Sequence, residues 1–171
     1  MARSPLLIGV AELRRRPGTQ RPVTVAVALP DLAITTARVP DDVEVVLDAV
    51  LEAIEGAITV TGRLTVPWTA ECRRCLDPVS GVEEVDLSEV FEARPTPGET
   101  YPIQGDDIDL EPVVRDAVLL HLPLAPLCGD DCRGPAPEAF PAVPADAAAA
   151  ASGAEPVRDP RWAALDVLRD D

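Results

Sequence analysis

The chain has 171 residues, enough for one ordinary domain with a continuous core plus tails, and its 47% hydrophobic share includes only 3% aromatics, so that core must be built from Val, Leu, Ile and Ala. Thirty acidic residues against fifteen basic ones leave a net charge of −15, which disfavours direct binding to phosphate backbones. A basic partner suits that charge, and so does plain solubility. The absence of lysine excludes a GxxxxGK phosphate loop, Schiff-base chemistry and a kinase-type lysine, and any Ser-His or Cys-His pair would have to use the one histidine, His121.

The N-terminal "MARSPLLIGV" has an apolar run too short for a secretion signal, and "AELRRR" at 11–16 reads as a short helix. "RPVTVAVALP" at 21–30 reads as a strand. In "VEVVLDAVLEAI" at 43–54, Val43, Val45, Leu47, Ala49, Leu51 and Ala53 alternate with Glu44, Asp48 and Glu52. Its Leu and Ala content would also suit a helix, but Glu55-Gly56 makes a hairpin into the next segment, which favours a strand. That next segment, 56–72, has the clearest alternation: Ile58, Val60, Leu64, Val66, Trp68, Ala70 and Cys72 against threonines, Arg63 and Glu71. It delivers Cys72 on the core side at a strand end.

After the Cys72-x-x-Cys75 turn, "VEEVDLSEVFEA" at 82–93 predicts a further antiparallel strand with Val85, Leu87 and Phe91 on one face. "RPTPGETYPIQG" reads as a Pro/Gly-rich loop. A helix over 109–122 follows, with Asp109 as its N-cap and Pro123 as its stop. "VLLHLPLAPL" at 118–127 carries a histidine and two prolines and cannot span a bilayer, so a cytoplasmic protein is expected. The expected fold is α+β: one domain over 1–140 with an antiparallel sheet, open or barrel-like, covered by the 109–122 helix. A flexible Ala/Pro-rich linker over 141–157 and a short amphipathic helix over 158–171, with Trp162, Leu165 and Leu168 on one stripe, complete the chain.

Cys72, Cys75, Cys128 and Cys132 are the only cysteines. Two short turns that each offer a pair of thiolates can enclose zinc, and both spacings fall in the usable range. Arg73 and Arg74 would offset the charge of such a site, or lower thiol pKa values without metal. Against zinc, Gly129, Asp130 and Asp131 form no obvious rigid turn. One zinc ion, four free thiols and a redox-active disulfide therefore all stay open. Asp106, Asp107, Asp109 and Glu111 could hold a divalent ion for RNA hydrolysis, but acids at a helix start are ordinarily capping groups, and His121 reads as a helix-face residue.

The order of motifs resembles the YceD-like family of large ribosomal RNA subunit accumulation proteins: a strand into "ECRRCLDPV", then "IDLEPVVRDAVLLHLPLAPLC", a further Cys with Gly134, and "DPRWAALDVL" near the end. The resemblance implies a small accessory factor of bacteria and plastids, linked to large-subunit rRNA and without established catalysis. In many bacteria its gene adjoins that of a small basic zinc-ribbon ribosomal protein. Many members continue as Gly-Leu-Cys-Pro-x-Cys-Gly where this chain has Ala136 and Ala139 at the cysteine positions. The paired loss leaves a site reduced to four cysteines or abandoned, and relaxed selection for metal favours the second. The resulting expectation is a non-catalytic factor that contacts a basic ribosomal protein or assembly factor, with a metal-dependent nuclease and a thiol or zinc sensor as the rival classes.

Overall fold

A computed structural model describes residues 4–139. The chain divides into two compact units, Met1–Cys132 and Arg133–Asp171. In the second, the described residues include an Arg133–Glu138 ion pair at 3.7 Å. The linker expected over 141–157 and the helix expected over 158–171 lie outside the described residues.

The first unit is mostly sheet. In chain order it comprises β1 (Leu7–Gly9), α1 (Ala11–Arg14), β2 (Gln20–Val27), β3 (Ala37–Arg38), β4 (Val45–Ile54), β5 (Ala57–Glu71), β6 (Pro78–Glu92), β7 (Tyr101–Gln104), β8 (Asp107–Asp109) and α2 (Glu111–His121). The strands run in the order β1-β8-β7-β6-β5-β4-β2, with β3 paired to β5 beside the end of β4. The sheet curls into a half-barrel. Its terminal strands β1 and β2 do not pair, but Arg21 on β2 donates to the Gly9 carbonyl on β1 at 2.7 Å.

The 43–54 ambiguity resolves as a strand because of the turn that follows it. Ile54 pairs with Ala57, which leaves Glu55-Gly56 as a two-residue loop, and Gly56 takes φ 81°, where a side chain would be strained. Val45, Leu47, Leu51 and Ala53 then turn into the core with Ile58, Val60, Leu64 and Val66 of β5 and Val85, Leu87 and Phe91 of β6. Pro67 lies within β5, paired with Val82 of β6, at the point where the other edge of β5 passes from β4 to β3. That gap spares a residue without an N–H from having to pair there.

Two expectations are corrected. The 94–105 stretch is not all loop: Tyr101–Gln104 forms β7, which lies parallel to β6 through Phe91↔Tyr101 and Glu92↔Pro102, so the sheet is mixed. Phe91 and Tyr101 rings meet there at 5.4 Å between centroids, an aromatic contact that anchors the short strand. The helix starts later than expected, at Glu111, with Leu110 rather than Asp109 at the N-cap position. Asp109 still serves the helix start, because its carboxylate accepts the Glu111 N–H at 3.0 Å. Val113, Val114 and Val118 add one apolar stripe of α2 to the core beside β5 and β6. No helix among the described residues is long and apolar enough to cross a membrane.

Candidate metal centre

The long β5–β6 ribbon ends in a turn that is closed by backbone bonds, with Cys72 N–H donating to the Asp77 carbonyl at 2.8 Å and Leu76 N–H to the Cys72 carbonyl at 2.9 Å. Leu76 pays for this tight return with φ 66°, an uncommon conformation for a branched side chain. The turn places Cys72 and Cys75 side by side, Cys72 fully buried and Cys75 half-buried.

The downstream pair arrives by a separate route. After α2, the Pro123 carbonyl accepts the Thr36 hydroxyl at 2.9 Å, and the Pro126 carbonyl accepts the Arg73 N–H at 2.9 Å. The chain is thereby laid along the β5–β6 turn. Cys132 N–H closes its own turn onto the Gly129 carbonyl at 3.2 Å. The Arg73 guanidinium reaches the Leu124 carbonyl at 3.1 Å, and Arg74 reaches the carbonyls of Asp130 at 3.0 Å and Cys132 at 3.4 Å.

The result is one cluster of four sulfurs, all mutually within 4.8 Å. Cys72 Sγ lies 3.7 Å from Cys132 Sγ, and Cys75 Sγ 3.7 Å from Cys128 Sγ. No disulfide joins them. A tetrahedral zinc site with Zn–S bonds of about 2.3 Å has sulfur–sulfur edges of about 3.8 Å, so the spacing and the all-thiolate donor set fit that ion.

The seat also favours charge on one sulfur. Backbone N–H groups of Cys75 and Arg74, and that of Cys128 at 3.4 Å, point at Cys72 Sγ and hold its thiol down at about 6 despite burial. At Cys75, the Asp77 N–H favours the thiolate, but burial and the three neighbouring sulfurs outweigh it and push the thiol up to about 12. Cys128 is also raised, chiefly by Cys132. Unfavourable thiolate pairing of this kind is what a divalent cation relieves.

The other sequence candidates do not converge. Among the described residues, the cysteines are the only group of three or more His, Cys, Asp or Glu side chains within ligating reach of one another. Asp106 lies 3.8 Å from Arg14, Asp109 serves the helix start, Glu111 pairs with Arg115 at 2.9 Å, and Asp107 stands on β8 opposite Gln104. His121 is exposed at the end of α2, its Nδ1 2.8 Å from the Ala117 carbonyl. Sequence reasoning missed the carbonyl-binding role of Arg73 and Arg74, which it read only as charge. Nothing in a one-dimensional pattern says which carbonyls a side chain will reach some fifty residues away.

Fold and cluster together define a first unit built on a curled, mostly β sheet, with a four-cysteine knuckle at one end of the long β5–β6 hairpin. The chain belongs to the family described as "Large ribosomal RNA subunit accumulation protein YceD", whose profile matches residues 60–169 and so includes all four cysteines. It is 33% identical over 171 residues to "Uncharacterized protein Rv2926c" of Mycobacterium tuberculosis, covering 95% of this chain and 80% of that relative. It is 32% identical over 146 residues to "Uncharacterized protein ML1660" of Mycobacterium leprae, covering 77% of this chain and 64% of the relative. No solved structure matches.

Proposed function

We propose that this protein is a non-catalytic accessory factor that supports accumulation of large-subunit ribosomal RNA through contacts with a basic ribosomal protein or assembly factor. Its four cysteines hold one zinc ion, whose role is to fasten the 123–132 segment to the β5–β6 turn. Family membership supports the ribosomal reading. The gathering of four sulfurs at the edge length of a tetrahedral zinc site carries the metal reading, and it outweighs the expectation drawn from Ala136 and Ala139 that the site is abandoned. With four thiolate ligands the coordination shell is closed, which fits a structural ion better than one that activates water.

The nuclease reading loses its support because Asp106, Asp107, Asp109 and Glu111 do not gather into one site. Full burial of Cys72, whose thiol the surrounding N–H groups hold down at about 6, weighs against a freely reacting sensor thiol. Depletion of the protein, followed by quantification of large-subunit rRNA and affinity capture from the same cells, tests the role. Normal subunit ratios with no ribosomal or assembly-factor partner would reject it. Elemental analysis of the purified chain tests the metal, with about one zinc per chain expected and its loss on any single cysteine substitution.

A further inference from the structure

A second feature lies away from the cysteines, where α2 crosses β6. A groove of about 420 Å³ runs between them, lined by Leu87, Val113 and Ala117, with Leu120, Glu89 and Asp116 also among its lining residues. Leu120 is 81% exposed, and Leu124 just beyond it is 74% exposed. A single exposed leucine is ordinary, but here Leu120 stands on the groove itself and Leu124 just beyond it.

The two acids of the lining are as notable as the leucines. Asp86 nearby is neutralised by Arg63 at 2.9 Å, but neither Glu89 nor Asp116 forms an ion pair among the described residues, and no arginine lines the groove. Asp116 has only the Tyr101 hydroxyl, at 3.4 Å. Glu89 is raised by burial and by the charge on Asp116, and the groove lining offers these two acids no arginine or lysine, only His121 at the end of α2.

We propose that this groove is a docking site for an amphipathic, Lys- or Arg-bearing segment of a partner protein. Its apolar side would cover Leu120 and the groove's apolar lining, and its cations would sit against Glu89 and Asp116. Charge complementarity selects this occupant. RNA and acidic peptides would meet two uncompensated carboxylates. The chain's own 158–171 segment has an apolar stripe but carries four acids against three arginines, so it brings these acids no net positive charge, and a partner segment with a cationic face fits better. The proposal rests on the reading that the protein works through protein contacts, and it adds where the partner binds and with what chemistry.

The test uses the full-length chain and a fluorescein-labelled amphipathic Leu/Lys helical peptide, with a peptide of the same composition in scrambled order as its control. Fluorescence anisotropy should show the amphipathic peptide binding about tenfold or more tighter than the scrambled one. Glu89→Gln combined with Asp116→Asn should weaken binding at least about fivefold and flatten its salt dependence, whereas Leu120→Ser should weaken it at low and high salt alike. Asp41→Asn with Asp42→Asn removes the same charge from an exposed turn elsewhere and should leave binding unchanged. Equal weakening by that control pair, equal binding of the scrambled peptide, or cross-linking of the chain's own 158–171 segment to residues of the groove would each overturn the proposal. Circular dichroism confirms that each variant folds. Because the readout is peptide binding, its failure is distinguishable from failure of the rRNA phenotype.

Discussion

Leu76 shows how much one residue can reveal about a site. It sits directly after Cys75 at φ 66° with its side chain 64% exposed, so it contributes little packing to offset a left-handed backbone. That conformation costs roughly 1–2 kcal/mol for a residue with a Cβ, while glycine costs about 0.5–1 kcal/mol through the greater freedom of the unfolded chain. The first effect is the larger. Leu76→Gly is therefore expected to raise stability by up to about 1 kcal/mol in chemical denaturation and to leave metal content unchanged. A loss of stability would mean that the exposed side chain has a contact worth more than the strain.

The thiols give a second single-residue prediction. Cys72, held down at about 6, stabilises the metal-free fold above the ordinary thiol pKa, and that contribution disappears as pH falls through about 6. Cys75 and Cys128 have raised values, so their contributions are present below the ordinary thiol pKa and are lost as pH rises toward the folded values. At pH 7 Cys72 is already a thiolate, whereas Cys75 and Cys128 must each surrender a proton to a metal. Zinc titrated into metal-free protein in weak buffer with an indicator dye should release fewer than four protons per ion. Release of four would show that the N–H groups around Cys72 do not hold a thiolate.

Among the elements, what could be read from the chain alone is what rests on periodicity and local turn chemistry. Strands β4, β5 and β6 and helix α2 each follow from a face of apolar residues repeated over many positions, and the hairpin at Glu55-Gly56 follows from its turn residues. β7 and β8 could not be read this way. They are four and three residues long, and they exist because β6 and β1 offer edges to pair with, which is a tertiary cause. The four cysteines were legible as candidates because their spacing is chemical. That the two pairs could share one site was also legible from their spacing, but the contacts that bring them together were not, since these depend on Pro126, Arg73 and Arg74 laying a distant segment along the turn.

That arrangement predicts a local effect of losing the metal. The 124–132 segment contains no regular secondary structure, and apart from Pro126 its residues are exposed or half-buried, so the thiolates and a few carbonyl contacts are its main ties. Strands β4 to β6, by contrast, are held by the continuous core. If zinc occupies the proposed site, its chelation, like Cys128→Ser, should raise amide hydrogen exchange across 124–132 by about tenfold or more, equivalent to about 1.4 kcal/mol, and leave β4 and β5 protected as before. Loss of protection throughout the sheet would show instead that the metal supports the entire unit.

The net charge of −15 acts on the protein as a body, and screening bears on it in two opposed ways. Salt weakens the ion pairs, but those among the described residues are exposed or half-buried, such as Arg63 with Glu84 and Asp86 or Arg14 with Asp106, and pairs of that kind contribute little. Salt also relieves repulsion among thirty acids that have only fifteen arginines to answer them, and this repulsion accumulates over the surface within each Debye length of about 10 Å at 0.1 M. Relief of repulsion should win. Raising sodium chloride from about 10 to roughly 300 mM is therefore expected to stabilise the chain by ~1 kcal/mol, seen as a Tm increase of about 2–4 °C. The same salt should weaken binding of the basic partner proposed above, because the field that destabilises the free protein is the field that would attract it. A Tm that falls with salt would show that the surface ion pairs outweigh the excess of negative charge, and would remove the physical ground for a partner chosen by its basicity.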